Sequence, residues 1–181
     1  MRSSPDQHDP DWPRYPETIL RFAQPPVQID LRNLPPADAL SKLQAAGFGD
    51  PFAVITAFDP RGRDLSPAEN EKRKRDLNRR LSKTGHRFID VDACSPDGSH
   101  CECSVAVIMD QDEAIALARE LEQVAIFWFD GKRFWILGAV VESDPMMLPR
   151  EAGGGRREAG GGSGKREGRR GKGEGEMRRG R

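Results

Sequence analysis

The 181-residue chain balances 29 Lys and Arg against 29 Asp and Glu, for a formal net charge of zero. That balance hides a split. Residues 151–181 hold ten Lys or Arg and five Glu, so the preceding part carries an acidic excess of five, which argues against a core built to wrap a phosphate backbone. Three cysteines, an odd number close together, suit no disulfide framework. No apolar run approaches the roughly 18 residues that span a bilayer, and no leading stretch reads as a signal peptide. The cytoplasm is the expected compartment, and the length leaves room for one domain of roughly 130 residues.

Residues 1–14 are rich in Pro, Asp and Ser and are expected to be disordered. The domain should then occupy residues 15–145. Residues 18–22 and 27–31 read as two short strands joined through Gln24, Pro25 and Pro26, where proline rules out helix. Residues 36–46 follow as a helix, with Leu40 and Leu43 on one face and Gly47 as its stop. The run 52–58, FAVITAF, is apolar on both faces, as an internal strand requires.

After a loop at 59–65, Ser66, Pro67 and Glu69 open a helix through a capping box, and that helix runs to about Lys83. Residues 88–92 make a strand, Ser95-Pro96-Asp97-Gly98 a turn, and 101–109 a second strand. Asp110 with Glu113 suggests another capping box, followed by an inward stripe of Ala114, Leu117, Ala118 and Leu121. Two further strands, 124–129 and 133–141, flank Asp130-Gly131, the preferred two-residue hairpin turn. That register would set Trp128 opposite Arg133 and Ile126 opposite Trp135.

The expected fold is α+β, or mixed α/β: a split βαβ-type sheet with two helices on one face, preceded by a β-hairpin and a short helix. Residues 146–181 make a tail; its last 31 residues include twelve Gly and no aromatic side chain, so it cannot bury a core. Such a basic, Gly-rich tail could bind nucleic acid through charge and flexibility, but the favoured reading is a solvated extension.

The segments YPETILRF (15–22), PFAVITAFDP (51–60), LSPAENEKR (65–73), SPDGSHCECS (95–104) and EQVAIFWFDG (122–131) together resemble the bacterial family catalogued as domain of unknown function 3293. The resemblance covers about residues 15–141. The family pattern favours Asn before the proline that closes the first long strand, where this chain has Asp59. The resemblance implies a domain boundary and no activity.

Polar residues at inward positions are the main pointer to a site, because buried polar groups must be paired. Asn70 and Arg73 share a helix face with Leu77, Glu102 and Ser104 lie in a strand, and Gln123 stands at a helix-to-strand junction. Two readings follow. Arg73 pairs with Glu102 inside a structural network, or the five residues line a pocket in which Arg73 clamps an anionic group and Glu102 orients it or takes a proton.

Asp90 and Asp92 point to one strand face, and with Glu102 they could hold Mg²⁺ for an enzyme acting on phosphate esters or nucleic acid. The group Cys94, His100, Cys101 and Cys103, with His86, matches no familiar zinc spacing. In the basic helix, Glu69–Arg73, Glu71–Arg75 and Asp76–Arg80 stand at i, i+4, which suggests a salt-bridged outer face. The aromatic hairpin containing Phe127, Trp128, Phe129, Phe134 and Trp135 reads as core. No cofactor, substrate or partner is specified beyond an unknown small ligand or protein.

Overall fold

Phe52–Thr56 forms β3, an interior strand of the sheet that lies between α1 and α2 in the chain. The structure, a computed structural model, describes residues 9–150. The described residues form one antiparallel eight-stranded sheet with helices on both faces, an α+β arrangement. In chain order these are β1 (Ile19–Phe22), β2 (Val27–Asp30), α1 (Ala37–Ala45), β3, α2 (Pro67–Lys83), β4 (Phe88–Cys94) and β5 (Cys101–Val107). Then come α3 (Gln111–Glu120), β6 (Ala125–Phe129), β7 (Phe134–Gly138) and β8 (Met146–Met147). The spatial order of strands is β2-β1-β4-β5-β3-β6-β7-β8.

Alternation along the strands makes two cores. Ala53 and Ile55 of β3 join Val105, Val107, Ile126 and Leu137 beneath Leu77 and Leu81 of α2 and Ala114, Leu117 and Ala118 of α3. Phe52 and Val54 face the other way, with Leu20, Ile29, Phe129, Phe134 and Ile136, covered by Ala39 and Leu43 of α1. Each buried Leu, Ile or Phe contributes about 1.5–3 kcal/mol relative to exposure, so the two layers together dominate the fold's stability.

Local signals act as expected at α2. The Ser66 hydroxyl accepts from the Glu69 amide at 3.3 Å, and the Ser66 amide donates to Glu69 Oε2 at 3.0 Å, closing the capping box. Gly47, at φ +86°, takes the left-handed position that ends α1. At α3 the expected box does not form: the Asp110 side chain makes no capping bond.

The last hairpin also differs. Asp130 and Arg133 close a four-residue loop, and Trp128 faces Trp135 while Ile126 faces Leu137. The cause is Asp130. Its Oδ1 accepts from the amides of Lys132 and Arg133 at 2.8 and 2.9 Å, and its Oδ2 accepts from Trp135 Nε1 at 2.7 Å. The slip is by two positions, so every side chain keeps its face.

Described elements lie outside the expected 15–145 span at both ends. Trp12–Glu17 is a 3-10 helix preceded by a buried Asp9, and past residue 145 Met146–Met147 pairs with β7 while Leu148 is fully buried. Residues 1–8 and the basic stretch 151–181 lie outside the described residues, so the tail's expected disorder and nucleic-acid role fall there too. Among the described residues no helix is long and apolar enough to cross a membrane.

Leu148→Ala in the full chain should lower the unfolding free energy by about 2–5 kcal/mol, the range for truncating a buried Leu. Urea denaturation measures it. A change within about 0.5 kcal/mol would mean that the chain after β7 does not belong to the core.

Candidate ligand site

The site begins where β3 runs out. Beyond Thr56 the backbone turns sharply through Asp59 and Arg61, both left-handed at φ 40° and 55°, a conformation that non-glycine residues adopt only when their surroundings enforce it. Side chains from two helices supply that enforcement. Arg73 of α2 donates from Nε to the Ala57 carbonyl and from Nη2 to the Leu121 carbonyl, each at 2.6 Å. Asn70 accepts from the Asp59 amide at 3.0 Å and donates to Asp59 Oδ1 at 2.8 Å, the same oxygen that takes the Leu65 amide. Gln123, just past α3, donates to the Phe58 carbonyl at 2.8 Å. Glu122, itself left-handed at φ 60°, accepts the Arg61 amide on its carbonyl and Arg61 Nε on its carboxylate, both at 2.8 Å.

The loop so held forms one wall of a cavity of about 470 Å³ on the α1 side of the sheet. The floor is the strand face carrying Val54, Thr56, Ala93, Glu102, Ser104, Ala125 and Phe127. A second wall is the turn between β4 and β5, and a third is the leading segment with Asp9, Asp11, Arg14 and Tyr15. Tyr15 packs on Phe127 with ring centroids 6.1 Å apart, and its hydroxyl donates to Asp9 Oδ2 at 2.5 Å. Gly62 lies close to Asp9 here. At φ +65° it brings the loop so near that a Cβ would stand 3.3 Å from the Asp9 carboxyl.

Charge is the cavity's distinguishing property. Among the described residues, seven carboxylates line it (Asp9, Asp11, Glu17, Asp59, Asp64, Asp97 and Glu102) against one arginine, Arg14, and one histidine, His100. Arg14 already has Asp11 at 3.7 Å. Burial pushes the Glu102 carboxyl above the usual carboxylate range; His100 Nε2, 3.3 Å from Glu102 Oε1, partly opposes this, and the charges of Asp59 and Asp9 add to it. Burial likewise raises Tyr15, helped by Asp9, so its phenol stays a protonated donor. At the rim the Ser95 hydroxyl and Ser99 donors hold Asp97 down to about 2. A group bearing positive charge or several N–H donors would find acceptors on three sides.

Of the five polar residues expected to form one site, Glu102, Ser104 and Gln123 line the cavity. Asn70 and Arg73 do not; they sit behind the loop, on α2, across the sheet from Glu102. The expected Arg73–Glu102 pair is absent because the Arg73 guanidinium is committed to two backbone carbonyls. An anion clamp at Arg73 therefore has no access to the cavity.

Nor does the Mg²⁺ trio assemble. Asp92 pairs with Cys103 and Ala93 with Glu102, so Asp90 and Asp92 project on the α2 face, where Asp90 lies 3.9 Å from Lys74, while Glu102 projects on the other. Among the described residues no group of three His, Cys, Asp or Glu is placed to hold a metal ion.

Two of the three cysteines also differ from expectation. Cys94 and Cys101 are cross-strand partners and form a disulfide, because the Ser95–Gly98 turn folds β5 directly back on β4. Cys103 is free, and burial lifts its thiol above the usual value. Other partners take the place of the expected i, i+4 pairs on α2: Arg80 reaches Glu120 of α3, Arg79 meets Asp76 at i, i+3, and Glu69 serves the cap.

Asp9, Tyr15, Asp59 and Asp97 are among the cavity residues that sequence reasoning missed. Residues 1–14 read as disorder, which hid Asp9, while Tyr15 fell at the expected domain start with no site role; the available signal was Trp12 and Tyr15 in an otherwise polar lead-in.

Residues 55–126 match a family model described as Protein of unknown function (DUF3293). The span takes in the loop, Asn70, Arg73, Glu102, Ser104 and Gln123, and leaves Asp9 and Tyr15 outside. No curated protein and no solved structure matches the chain.

Two measurements separate the positioning residues from the cavity residues. Arg73→Ala should cost about 2–4 kcal/mol in denaturant unfolding, since it strands two carbonyls, whereas Asp59→Asn keeps Oδ1 and suits the left-handed backbone, so it should change stability by less than about 0.5 kcal/mol. Equal losses in both would contradict the assignment.

The Glu102 carboxyl carries its own pH signature. A carboxyl with a raised folded value binds its proton more tightly folded than unfolded. Its stabilising contribution is complete below the ordinary Glu range and is lost as pH rises through the raised value. Glu102→Gln should therefore gain on the wild type at neutral pH, with the gap shrinking as pH falls below the usual carboxylate range. A gap that widens on acidification would reverse the sign and contradict the burial argument.

Proposed function

From the pocket we propose that this chain, whose residues 55–126 match the DUF3293 family model, binds a small organic cation, such as an amine or guanidinium. The observation that carries the reading is the seven-to-one excess of carboxylates over arginines in a cavity of about 470 Å³, a volume within the range for small-molecule pockets. Glu102 and Asp9 would accept hydrogen bonds from the cationic head, charge-assisted and so stronger than neutral ones. Tyr15 and Phe127 would flank it with ring faces. Ser104 and Gln123 would fix its orientation.

Asn70 and Arg73 serve this reading indirectly, by holding the loop that carries Asp59. We also read the order β4-β5-β3-β6, with α2 and α3 as crossovers, as two interleaved split βαβ units that fix the floor of the pocket. No observation favours the Mg²⁺ enzyme, whose carboxylates lie on opposite sheet faces.

Isothermal titration of the full chain with agmatine, putrescine and choline tests the reading against inorganic phosphate and a nucleoside monophosphate. At least one cation should bind, more tightly as pH rises through the titration of Glu102, and Glu102→Gln should weaken it about tenfold. Binding of the anions alone, or of cations equally to wild type and Glu102→Gln, overturns it.

A further inference from the structure

One wall of the pocket is fastened by the disulfide. Cys94 ends β4 and lines the cavity, and Cys101 opens β5 as its cross-strand partner. The turn between them supplies Ser95, Asp97 and His100 to the pocket wall. His100 and Glu102, which flank Cys101 in the chain, make the contact at 3.3 Å that joins this turn to the cavity floor.

Three features make this bond one that can open and close in the folded protein. Cys101 is exposed, while Cys94 is buried, so a reductant meets Cys101 Sγ first. Continuous pairing of β4 with β5 from Phe88–Val107 to Cys94–Cys101 keeps the two thiols opposed after reduction. Besides one backbone bond, Ser95 N to His100 O at 2.9 Å, the ties across the turn are exposed, with His100 N donating to Ser95 Oγ at 3.1 Å and Ser99 donating to Asp97, and exposed hydrogen bonds compete with water. The covalent bond is therefore the firmest restraint on that wall.

We propose that the Cys94–Cys101 disulfide is a redox latch on the pocket: oxidised, it holds the 95–100 turn in the form that completes the site, and reduction by a dithiol loosens the turn and weakens ligand binding. The proposal deepens the cation-site reading and rests on it. One thiolate of the dithiol attacks Cys101 Sγ, forms a mixed disulfide and expels Cys94 as a thiolate, which takes up a proton. The reductant's second thiolate then attacks its own sulfur in the mixed disulfide and releases Cys101, which is likewise protonated. Two electrons and two protons pass to the cysteines, and the reductant leaves as a disulfide. Cys103 takes no part.

The test compares the full chain oxidised and after dithiothreitol, with thiol counts among these cysteines rising from one to three. Agmatine affinity and amide exchange at residues 95–100 are read in both states. Reduction should weaken agmatine binding about tenfold, as expected if the competent turn is then populated in about one molecule in ten, and should speed exchange at Ser95 and His100. Reoxidation should restore both. Cys103→Ser should behave as wild type, and Cys94→Ser/Cys101→Ser should match the reduced protein. Equal agmatine affinity in the two states overturns the latch. If agmatine binds neither state, the cation reading has failed and exchange judges the latch alone: faster exchange on reduction supports it, and unchanged exchange overturns it.

Discussion

The exit of β3 is the constraint on which the rest of the site depends. A central strand must surrender its ladder at its end, and here the next carbonyls, those of Ala57 and Phe58, are turned toward protein instead of water. Arg73 and Gln123 satisfy them, and Arg73 ties in the Leu121 carbonyl at the end of α3 with its second nitrogen. A buried carbonyl left bare costs roughly 1–3 kcal/mol, so α2, α3 and the loop form one unit. The left-handed Asp59 and Arg61 persist because that unit fixes the chain on both sides of them.

What the constraint delivers is a wall. With the loop fixed, Asp59 presents its carboxylate to the cavity, and Gly62 comes close enough to Asp9 to seat the leading segment, which in turn lays Tyr15 over Phe127. The sheet divides the labour. Basic side chains gather on the α2 face, where they meet backbone carbonyls, Glu120 and Asp90. The opposite face, beyond α1, collects carboxylates around Glu102. Burial of that carboxyl and the nearby Asp9 and Asp59 favour either a held proton or a cationic partner.

Much of this was legible in the residues, for identifiable reasons. The capping box at Ser66, the stop at Gly47 and the alternation in 52–56 are local signals that the fold obeys. Inward polar residues marked the right neighbourhood, since Asn70, Ser104 and Gln123 are buried. Which acceptor Arg73 finds is a tertiary matter. Spacing placed it on the inward face of a helix but could not tell a carboxylate from a carbonyl at a strand end. The face parity of Glu102 against Asp92 depends on a register fixed only when β4 and β5 pair. Asp130 was read as a turn former and acts as one, yet its bonds to two amides and to Trp135 choose a longer loop than the dipeptide suggests. The thiols misled because cysteine arithmetic counts residues, while the 94–101 bond depends on the turn between them.

The most direct test is the titration of the Glu102 side-chain carboxyl, followed by ¹³C NMR in the full chain with and without agmatine. A buried acceptor awaiting a cation should titrate above the ordinary Glu range when free, and its midpoint should fall when agmatine is added. A Glu102 that titrates like an exposed glutamate and ignores the cation would contradict the account.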